Sequence, residues 1–225
     1  MGSGSSVQVV TRTHTAAVTR GDINEVIIHL ISLQFLSYII YGAGMQSGHI
    51  KGCIIVIIQT EITCDISIQA IIPDGVSAVG ESAFSRCSSL TRITFPDSLR
   101  TIGHKAFFEC KGLTSMTFPD SLTRIENEAF ESCTGLTSVT FPTSLVSIPY
   151  NAFKCCTGLT SVTFPNSLTS IGNFAFQQCV SLTSVVLPDS VANIGDNAFY
   201  ACRGLTSVEF PANLTRKILY FPVFK

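Results

Sequence analysis

The sequence predicts an α/β solenoid, in which one short unit is stacked on copies of itself, with one parallel sheet and short helical turns on the opposite side. Three observations carry this prediction. Within each unit an alternating run is typical of a strand with one buried face. A compact apolar block with the spacing of about one helical turn follows that run. Above all, six leucines stand 23 residues apart, at Leu90, Leu113, Leu136, Leu159, Leu182 and Leu205.

The repeat divides the chain into three parts. Residues 90–112 read LTRITFPDSLRTIGHKAFFECKG, and close copies follow them to Gly204. A weaker copy occupies 67–89, and the pattern ends at Lys217, where an aliphatic residue is expected. We therefore predict a non-repetitive N-terminal segment over 1–66, the solenoid over 67–214 and a divergent tail over 215–225.

The first half of a unit predicts two extended pieces. In the first, Val139 and Phe141 alternate with hydroxyl residues, which is the period of a strand. Pro142 then limits further hydrogen bonding, and the Pro-x-Ser-Leu segment is typical of a turn. A second short extended piece, at 169–172 for example, turns Ile171 inward.

The second half of a unit predicts a helical turn with an apolar inner side. Ala175, Phe176 and Cys179 fall at i, i+1 and i+4, and a Gly or Ser at the unit's end lets the chain return to the next strand. Stacking places like residues on like residues, so we expect two aromatic ladders in the core. The first contains Phe84, Phe107, Phe130, Phe153, Phe176 and Phe199, and the second Phe95, Phe118, Phe141 and Phe164.

The pattern L-x-x-[IV]-x-F-P-x-S-L-x-x-I-x-x-x-A-F-x-x-C resembles the BspA-like subclass of leucine-rich repeats over residues 67 to about 214. The resemblance implies a leucine-rich-repeat-type right-handed stack. It also implies a binding or adhesion module rather than an enzyme, and it favours a cell-surface or secreted setting.

The outward positions of the strands form the candidate binding face. The third and fifth strand positions carry mostly uncharged hydroxyl residues, with charge only at the two ends. Solenoids use such extended surfaces for binding, and hydroxyl groups suit a protein backbone or a glycan. The candidate residues are Arg92, Thr94, Ser115, Thr117, Ser138, Thr140, Ser161, Thr163, Ser184, Ser207 and Glu209.

The cysteines are interpreted as core residues. Six of the nine occupy one position of the repeat beside Ala-Phe, which indicates a small buried hydrophobe. We predict that Cys155, at a mostly polar position, is the most accessible thiol, with Cys53 as a second accessible site. No Cys-x-x-Cys pair or nearby histidine supports a metal site.

Three interpretations of the apolar stretch Val26–Tyr41 stay open. It is a signal peptide or membrane anchor, an amphipathic helix that caps the first coil, or the product of a misplaced start of the reading frame. Membrane association would depend on this stretch. The following run Cys53–Ile58 predicts a strand that leads into the solenoid.

No cofactor, metal or catalytic motif emerges from the sequence. The glycine-rich segment Gly42–Gly48 lacks the Gly-Lys-Ser/Thr ending of a phosphate loop and is interpreted as a flexible turn. Glu126, Glu128 and Glu131 are interpreted as a solvated outer face rather than a paired-carboxylate site. Residues 67–214 contain 8 basic and 11 acidic side chains, which gives no electrostatic case for nucleic acid.

The sequence therefore predicts a non-catalytic interaction or adhesion module that binds a protein or glycan through its sheet face. Two alternatives remain beside it. In one, this chain is a fragment of a larger protein whose catalytic domain lies elsewhere. In the other, the hydroxyl array binds an ordered lattice such as ice.

Overall fold

The strands from Ile68 onward follow the 23-residue period. The computed structural model describes residues 69–72, 74–212 and 214 with their side chains. It also describes the backbone of Ile68 and of six short strands before it. The described residues from Ile68 to Leu214 form a β-solenoid, and we call each 23-residue unit a coil.

The first strand of each coil forms a parallel strip along the solenoid. Neighbouring strands pair with residues 23 apart, so Ser138 lies beside Ser161 and Thr140 beside Thr163. Strand ladders are interrupted after β11 and after β15, but Thr137 N–H still donates to Thr114 O at the first gap, at 3.1 Å. The strip contains β7 (Ile68–Ile71), β9 (Leu90–Thr94), β11 (Ser115–Met116), β13 (Ser138–Thr140), β15 (Ser161–Thr163), β17 (Ser184–Val186) and β19 (Ser207–Glu209).

A second parallel strip runs beside the first, so the prediction of one sheet is wrong. The extended piece predicted at 169–172 is present as Ser170–Ile171, with Ile171 buried. Each coil contributes only two residues to this strip, and these residues pair with the equivalent residues of neighbouring coils. The strip contains β8 (Ala78–Val79), β10 (Thr101–Ile102), β12 (Arg124–Ile125), β14 (Ser147–Ile148), β16 (Ser170–Ile171) and β18 (Asn193–Ile194).

The predicted helical turns are wrong for the coils that the structure describes, in which the Ala-Phe-x-x-Cys block is a run of tight turns. An α-helix directs every N–H to the carbonyl four residues earlier. Here Phe107 N–H donates instead to Ala129 O of the next coil at 2.8 Å. Lys105 and Glu109 adopt left-handed backbone with φ of 53° and 56°, and the same two positions do so in every described coil. Close stacking thus brings acceptors of the next coil to donors that a helix would use internally.

The core lies between coils, as the two aromatic ladders predict. In the first ladder Phe107 stacks on Phe130 with ring centroids 5.1 Å apart and planes 3° from parallel. In the second ladder Phe118 stacks on Phe141 at 5.9 Å. The ladders also meet edge to face, as between Phe141 and Phe153 at 5.4 Å. Offset and edge contacts of this kind stabilise aromatic pairs beyond the area that they bury.

Two side-chain columns donate hydrogen bonds to backbone carbonyl groups of the preceding coil. Cys133 Sγ–H donates to Phe107 O at 3.1 Å, and the same bond recurs at the other four fully buried ladder cysteines. Ser121 Oγ–H donates to Leu99 O at 2.6 Å, again in a repeated column. The cysteine and serine columns therefore supply hydrogen bonds between coils as well as filling space.

The N-terminal segment contributes short antiparallel strands. β1 (Val7–Val10) pairs with β2 (Thr15–Val18), β3 (Tyr38–Ile39) with β6 (Ile57–Thr60), and β4 (Gly44–Gln46) with β5 (His49–Lys51). β6 also pairs antiparallel with β7, so it borders the first strip of the solenoid.

These strands bear on the predictions for residues 26–60. Of the strand expected over Cys53–Ile58, the structure describes only Ile57 and Ile58, which belong to the strand Ile57–Thr60. The turn expected over Gly42–Gly48 is in part strand β4. Of Val26–Tyr41 the structure describes only β3, so the signal, anchor and cap interpretations fall outside the described residues, as do Cys53 and Cys64.

Candidate functional site

The sheet face is formed by outward side chains of the first strip. All eleven candidate residues are exposed: Arg92, Thr94, Ser115, Thr117, Ser138, Thr140, Ser161, Thr163, Ser184, Ser207 and Glu209. Between them Val139 and Val185 point inward and are 2% and 1% exposed. Because side chains alternate across a strand, burying these aliphatic residues directs the hydroxyl residues to solvent.

The parallel register brings the candidate residues into two columns. Arg92 pairs with Ser115, Ser138 with Ser161, and Ser184 with Ser207. Neighbours in a column are about 4.8 Å apart, which is the spacing of paired strands. Val186 interrupts the fifth-position column with an apolar side chain that is 58% exposed.

A column of threonines borders the sheet face and was not predicted. Thr137 Oγ1–H donates to Thr114 O at 3.1 Å, and Thr160 Oγ1–H donates to Thr137 O at 3.0 Å. These hydroxyl groups are oriented by the backbone, and their outward lone pairs remain available to a ligand. The threonine that follows each repeat leucine was the sequence signal for this column.

A surface depression of about 550 Å³ opens at the N-terminal end of the sheet face. Its lining includes Arg92, Ser115 and Thr117 of the predicted face. Sequence reasoning missed Asp97 and Asp120, which occupy the same turn position in successive coils and also line the depression. The Pro-x-Ser-Leu segment is typical of a turn, and its 23-residue register places these two carboxylates in neighbouring coils.

Elsewhere on the coils, acidic side chains form ion pairs. Lys105 Nζ lies 3.2 Å from Glu128 Oε2, and Arg124 Nη2 lies 3.3 Å from Glu126 Oε1. Both glutamates are half-buried, and Glu131 is only 9% exposed. The solvated interpretation is therefore wrong for Glu131, because the coil that follows covers it.

Glu131 belongs to a buried polar network between two coils. Its Oε1 lies 3.1 Å from Lys154 Nζ, and its Oε2 accepts a hydrogen bond from Asn151 Nδ2 at 3.3 Å. Partial burial opposes the charge of Lys154, but its hydrogen bond to Glu131 and the carboxylate charge raise the pKa of this amine. The network cross-links the coils, and removal of Glu131 would leave Asn151 and Lys154 without these contacts.

Four of the ladder thiols are shielded and protonated at neutral pH. Burial raises the pKa of Cys110, Cys133, Cys156 and Cys179. Cys87, predicted to be buried like its ladder neighbours, is half-buried instead.

Cys155 is less accessible than the sequence predicts. It is half-buried rather than exposed, and its Sγ–H donates to Gln178 Oε1 at 2.9 Å. Burial, together with the nearby Glu131 carboxylate, raises its pKa despite the opposing charge of Lys154. A raised pKa lowers the thiolate fraction at neutral pH, so this thiol is a weak nucleophile.

The part of the chain that the structure describes contains neither a metal-ligand cluster nor a membrane-spanning helix. No three or more His, Cys, Asp and Glu side chains there are grouped to hold a metal ion. No helix of the described part is long and apolar enough to cross a membrane.

Stacked 23-residue coils, strips of parallel strands and an interior of aligned leucines and phenylalanines define a leucine-rich-repeat solenoid. The family model for the BspA type leucine rich repeat region matches six copies over residues 62–169 and 123–219. The chain therefore belongs to the BspA-type leucine-rich repeat family. Leucine-rich repeat proteins of this kind commonly mediate interactions and are generally non-enzymatic scaffolds.

Solved structures with similar folds come from several bacteria. The pneumococcal vaccine antigen PcpA is 24% identical over 76% of this chain and 49% of its own, with a TM-score of 0.54. A leucine rich cell surface protein from Faecalibacterium prausnitzii is 27% identical over 67% of this chain and 52% of its own, with a TM-score of 0.48. The leucine-rich repeat protein of T. pallidum is 28% identical over 69% of this chain and 80% of its own, with a TM-score of 0.44.

This chain thus spans about half the length of two of these proteins, 52% and 49%. Comparison with curated protein sequences finds no match.

Proposed function

We propose that this protein is a non-catalytic interaction module that binds a protein or a glycan through the sheet face. The observation that carries the proposal is the in-register exposure of the candidate residues on one side of the first strip. Extended, rigid surfaces of this kind are the usual binding surfaces of solenoids. Display at a cell surface is part of the proposal, since that is the setting that the family resemblance implies.

The middle of the sheet face is uncharged. Ser138, Thr140, Ser161 and Thr163 present hydroxyl groups that both donate and accept hydrogen bonds. Their partners would be backbone amides of a protein or hydroxyl groups of a glycan. We propose that binding energy concentrates at these four positions, because interface energy concentrates near the centre of a contact patch.

The test replaces all four residues with lysine and measures capture of the partner that the wild-type protein recovers from its native source. We expect the variant to fold and to lose binding. A second variant, Thr140→Lys with Ser161→Lys, keeps the new charges apart on the diagonal and guards against destabilisation by adjacent lysines.

A matched control places four lysines on other exposed parts of the coils, at Asn127, Val146, Ser147 and Asn193. This control adds the same charge and should keep binding. Loss of binding in the control, together with retention in the sheet-face variants, would show that the partner contacts another side of the solenoid.

A further inference from the structure

The depression at the N-terminal end of the sheet face combines opposite charges within a small area. The charges belong to Arg92 on one strand and to Asp97 and Asp120 at the turns beyond the strands. In the described part of the chain, no ion pair joins any of these three side chains to another residue. All three are exposed, so their charges are available to a ligand.

The fold sets the distances between these charges. Arg92 and Asp97 are five residues apart along one coil, which limits their Cα atoms to about 17 Å. Asp97 and Asp120 are equivalent residues of neighbouring coils, whose strands are about 4.8 Å apart. A ligand along the strand direction therefore meets one cationic end and one end with two adjacent carboxylates.

Hydroxyl groups fill the space between the two ends. Thr94, Ser115 and Thr117 line the depression and point outward from the strip. Uncharged donors and acceptors at strand spacing suit the alternating N–H and C=O groups of an extended polypeptide. The depression, at about 550 Å³, also has the size of an ordinary ligand site.

We infer that the depression binds an extended polypeptide segment that carries one acidic and one basic side chain about three to five residues apart. The acidic side chain pairs with the Arg92 guanidinium, whose fork of donors matches a carboxylate. The basic side chain lies between Asp97 and Asp120. This inference rests on the proposed function, since the depression is one end of the same sheet face, and it selects protein rather than glycan as the ligand.

The lining favours a polypeptide over a glycan. The aromatic residues in the depression are Phe95 and Phe118, which are 8% and 6% exposed. Both rings belong to the core ladder and stack on each other at 6.0 Å, so neither presents an open face to a sugar ring. Charge complementarity at two fixed points is instead a way to read side chains in register.

The experiment measures binding of fluorescent nine-residue peptides to the full chain by anisotropy. The peptides have a Ser/Ala background and two charged residues, either Asp with Lys, two Asp or two Lys, at separations from two to six residues. We expect wild-type protein to prefer Asp with Lys at three to five residues by about tenfold over like-charged peptides, because two exposed ion pairs contribute. The preference should shrink at high salt.

Two variants convert the prediction into a change of specificity. Arg92→Asp leaves only carboxylates in the depression and should shift the preference to peptides with two Lys. Asp97→Lys combined with Asp120→Lys leaves only cations and should shift it to peptides with two Asp. The control, Lys111→Asp with Asp189→Lys, changes exposed charges outside the depression and should retain the wild-type preference; Asp189 occupies the same turn position as Asp120 in a distant coil.

The outcomes separate this inference from the proposed function. Absence of any charge or spacing preference in the wild-type protein overturns the inference. The inference is also overturned if the protein binds glycans but none of the peptides, and if the Arg92→Asp variant loses that glycan binding. If the sheet-face lysine variants lose the native partner while Arg92→Asp retains it, the sheet face binds but the assigned ligand is wrong. If neither the sheet-face lysine variants nor Arg92→Asp changes capture of the native partner, the proposed function fails as well.

Discussion

At the residue scale, core side chains of this solenoid pack mainly against the equivalent side chains of the neighbouring coils. Phe153 is fully buried between Phe130 and Phe176, at ring-centroid distances of 5.1 and 5.5 Å. We expect Phe153→Ala to lower the free energy of unfolding by about 3 to 5 kcal/mol, because it leaves a cavity on both sides. Denaturant unfolding measures the loss.

Phe108 supplies the matched control for this substitution. It is half-buried and lies near two cations, with Lys105 Nζ 5.7 Å from its ring centroid. Phe108→Ala should cost about 1 kcal/mol, since little core contact is removed. Equal losses in the two variants would contradict the ladder as the main source of stability.

Because of the buried thiols, the free energy of unfolding should decrease as pH rises in the alkaline range. Burial raises the pKa of Cys133 and Cys156 in the folded state above the ordinary value of 9.0. Their contribution is complete below pH 9 and is lost as pH rises further, because the unfolded chain releases these protons while the folded chain keeps them. Each thiol adds up to about 1.4 kcal/mol per pH unit to this slope.

Urea unfolding between pH 7.5 and 10.5 in reductant tests this dependence. The double variant Cys133→Ala, Cys156→Ala should show a slope that is shallower by up to about 2.7 kcal/mol per pH unit. The wild-type slope includes other groups that titrate in this range, so the difference between the proteins is the relevant quantity. An identical slope would mean that the two thiols do not stay protonated in the folded state.

The half-buried thiols should react faster than the fully buried ones. Cys87 and Cys155 are half-buried, so in the native protein we expect them to react with a thiol reagent before Cys110, Cys133, Cys156, Cys179 or Cys202. The rate at Cys155 should keep rising beyond pH 9, because its pKa is raised. Mass spectrometry of the labelled peptides identifies the order, and early labelling of Cys133 would contradict it.

At the scale of the structural element, the coils that end in glycine close with a tight approach between backbones. A Cβ atom at Gly135 would lie 2.4 Å from Lys111 O of the preceding coil. Gly135→Ala should therefore cost about 1 to 3 kcal/mol, as overpacking does. Thermal or denaturant unfolding detects the change.

Ser181 offers the control, since it occupies the same position of another coil. There the chain already accommodates a side chain, so Ser181→Gly should change stability by about 1 kcal/mol or less. A Gly135→Ala protein as stable as the wild type would show that the coil relaxes around the added methyl group.

At the scale of the whole molecule, we expect the destabilisation caused by a substitution in one coil to be largest in the neighbouring coils and to decrease along the solenoid. Phe130 N–H donates to Ala152 O at 2.9 Å, and Phe84 N–H donates to Ala106 O at 2.7 Å, two coils further from Phe153. In Phe153→Ala we expect the Phe130 amide to lose more protection against hydrogen exchange than the Phe84 amide. Equal loss at both amides would indicate one fully cooperative unit.

The 23-residue period alone determined the stacking, the two phenylalanine ladders, the burial of most ladder cysteines and the outward hydroxyl columns. These features follow from residue polarity and spacing, which a repeat displays many times over. Binding through the hydroxyl columns stays a prediction, because a pattern of exposure does not name a ligand.

Tertiary structure decided the features that depend on contacts between coils. Ala-Phe-x-x-Cys fits a helical turn in isolation, but Phe107 and its equivalents donate to the next coil, and turns result. The sequence around Glu131 predicts an exposed side chain, yet Lys154 and Asn151 of the next coil cover it and pair with its carboxylate. Asp120 lies beside Asp97 and near Arg92 only because the strands of successive coils stand side by side. The partners of Phe107 and Glu131, and Asp120 as the neighbour of Asp97, lie about one period away, beyond the reach of local sequence preference.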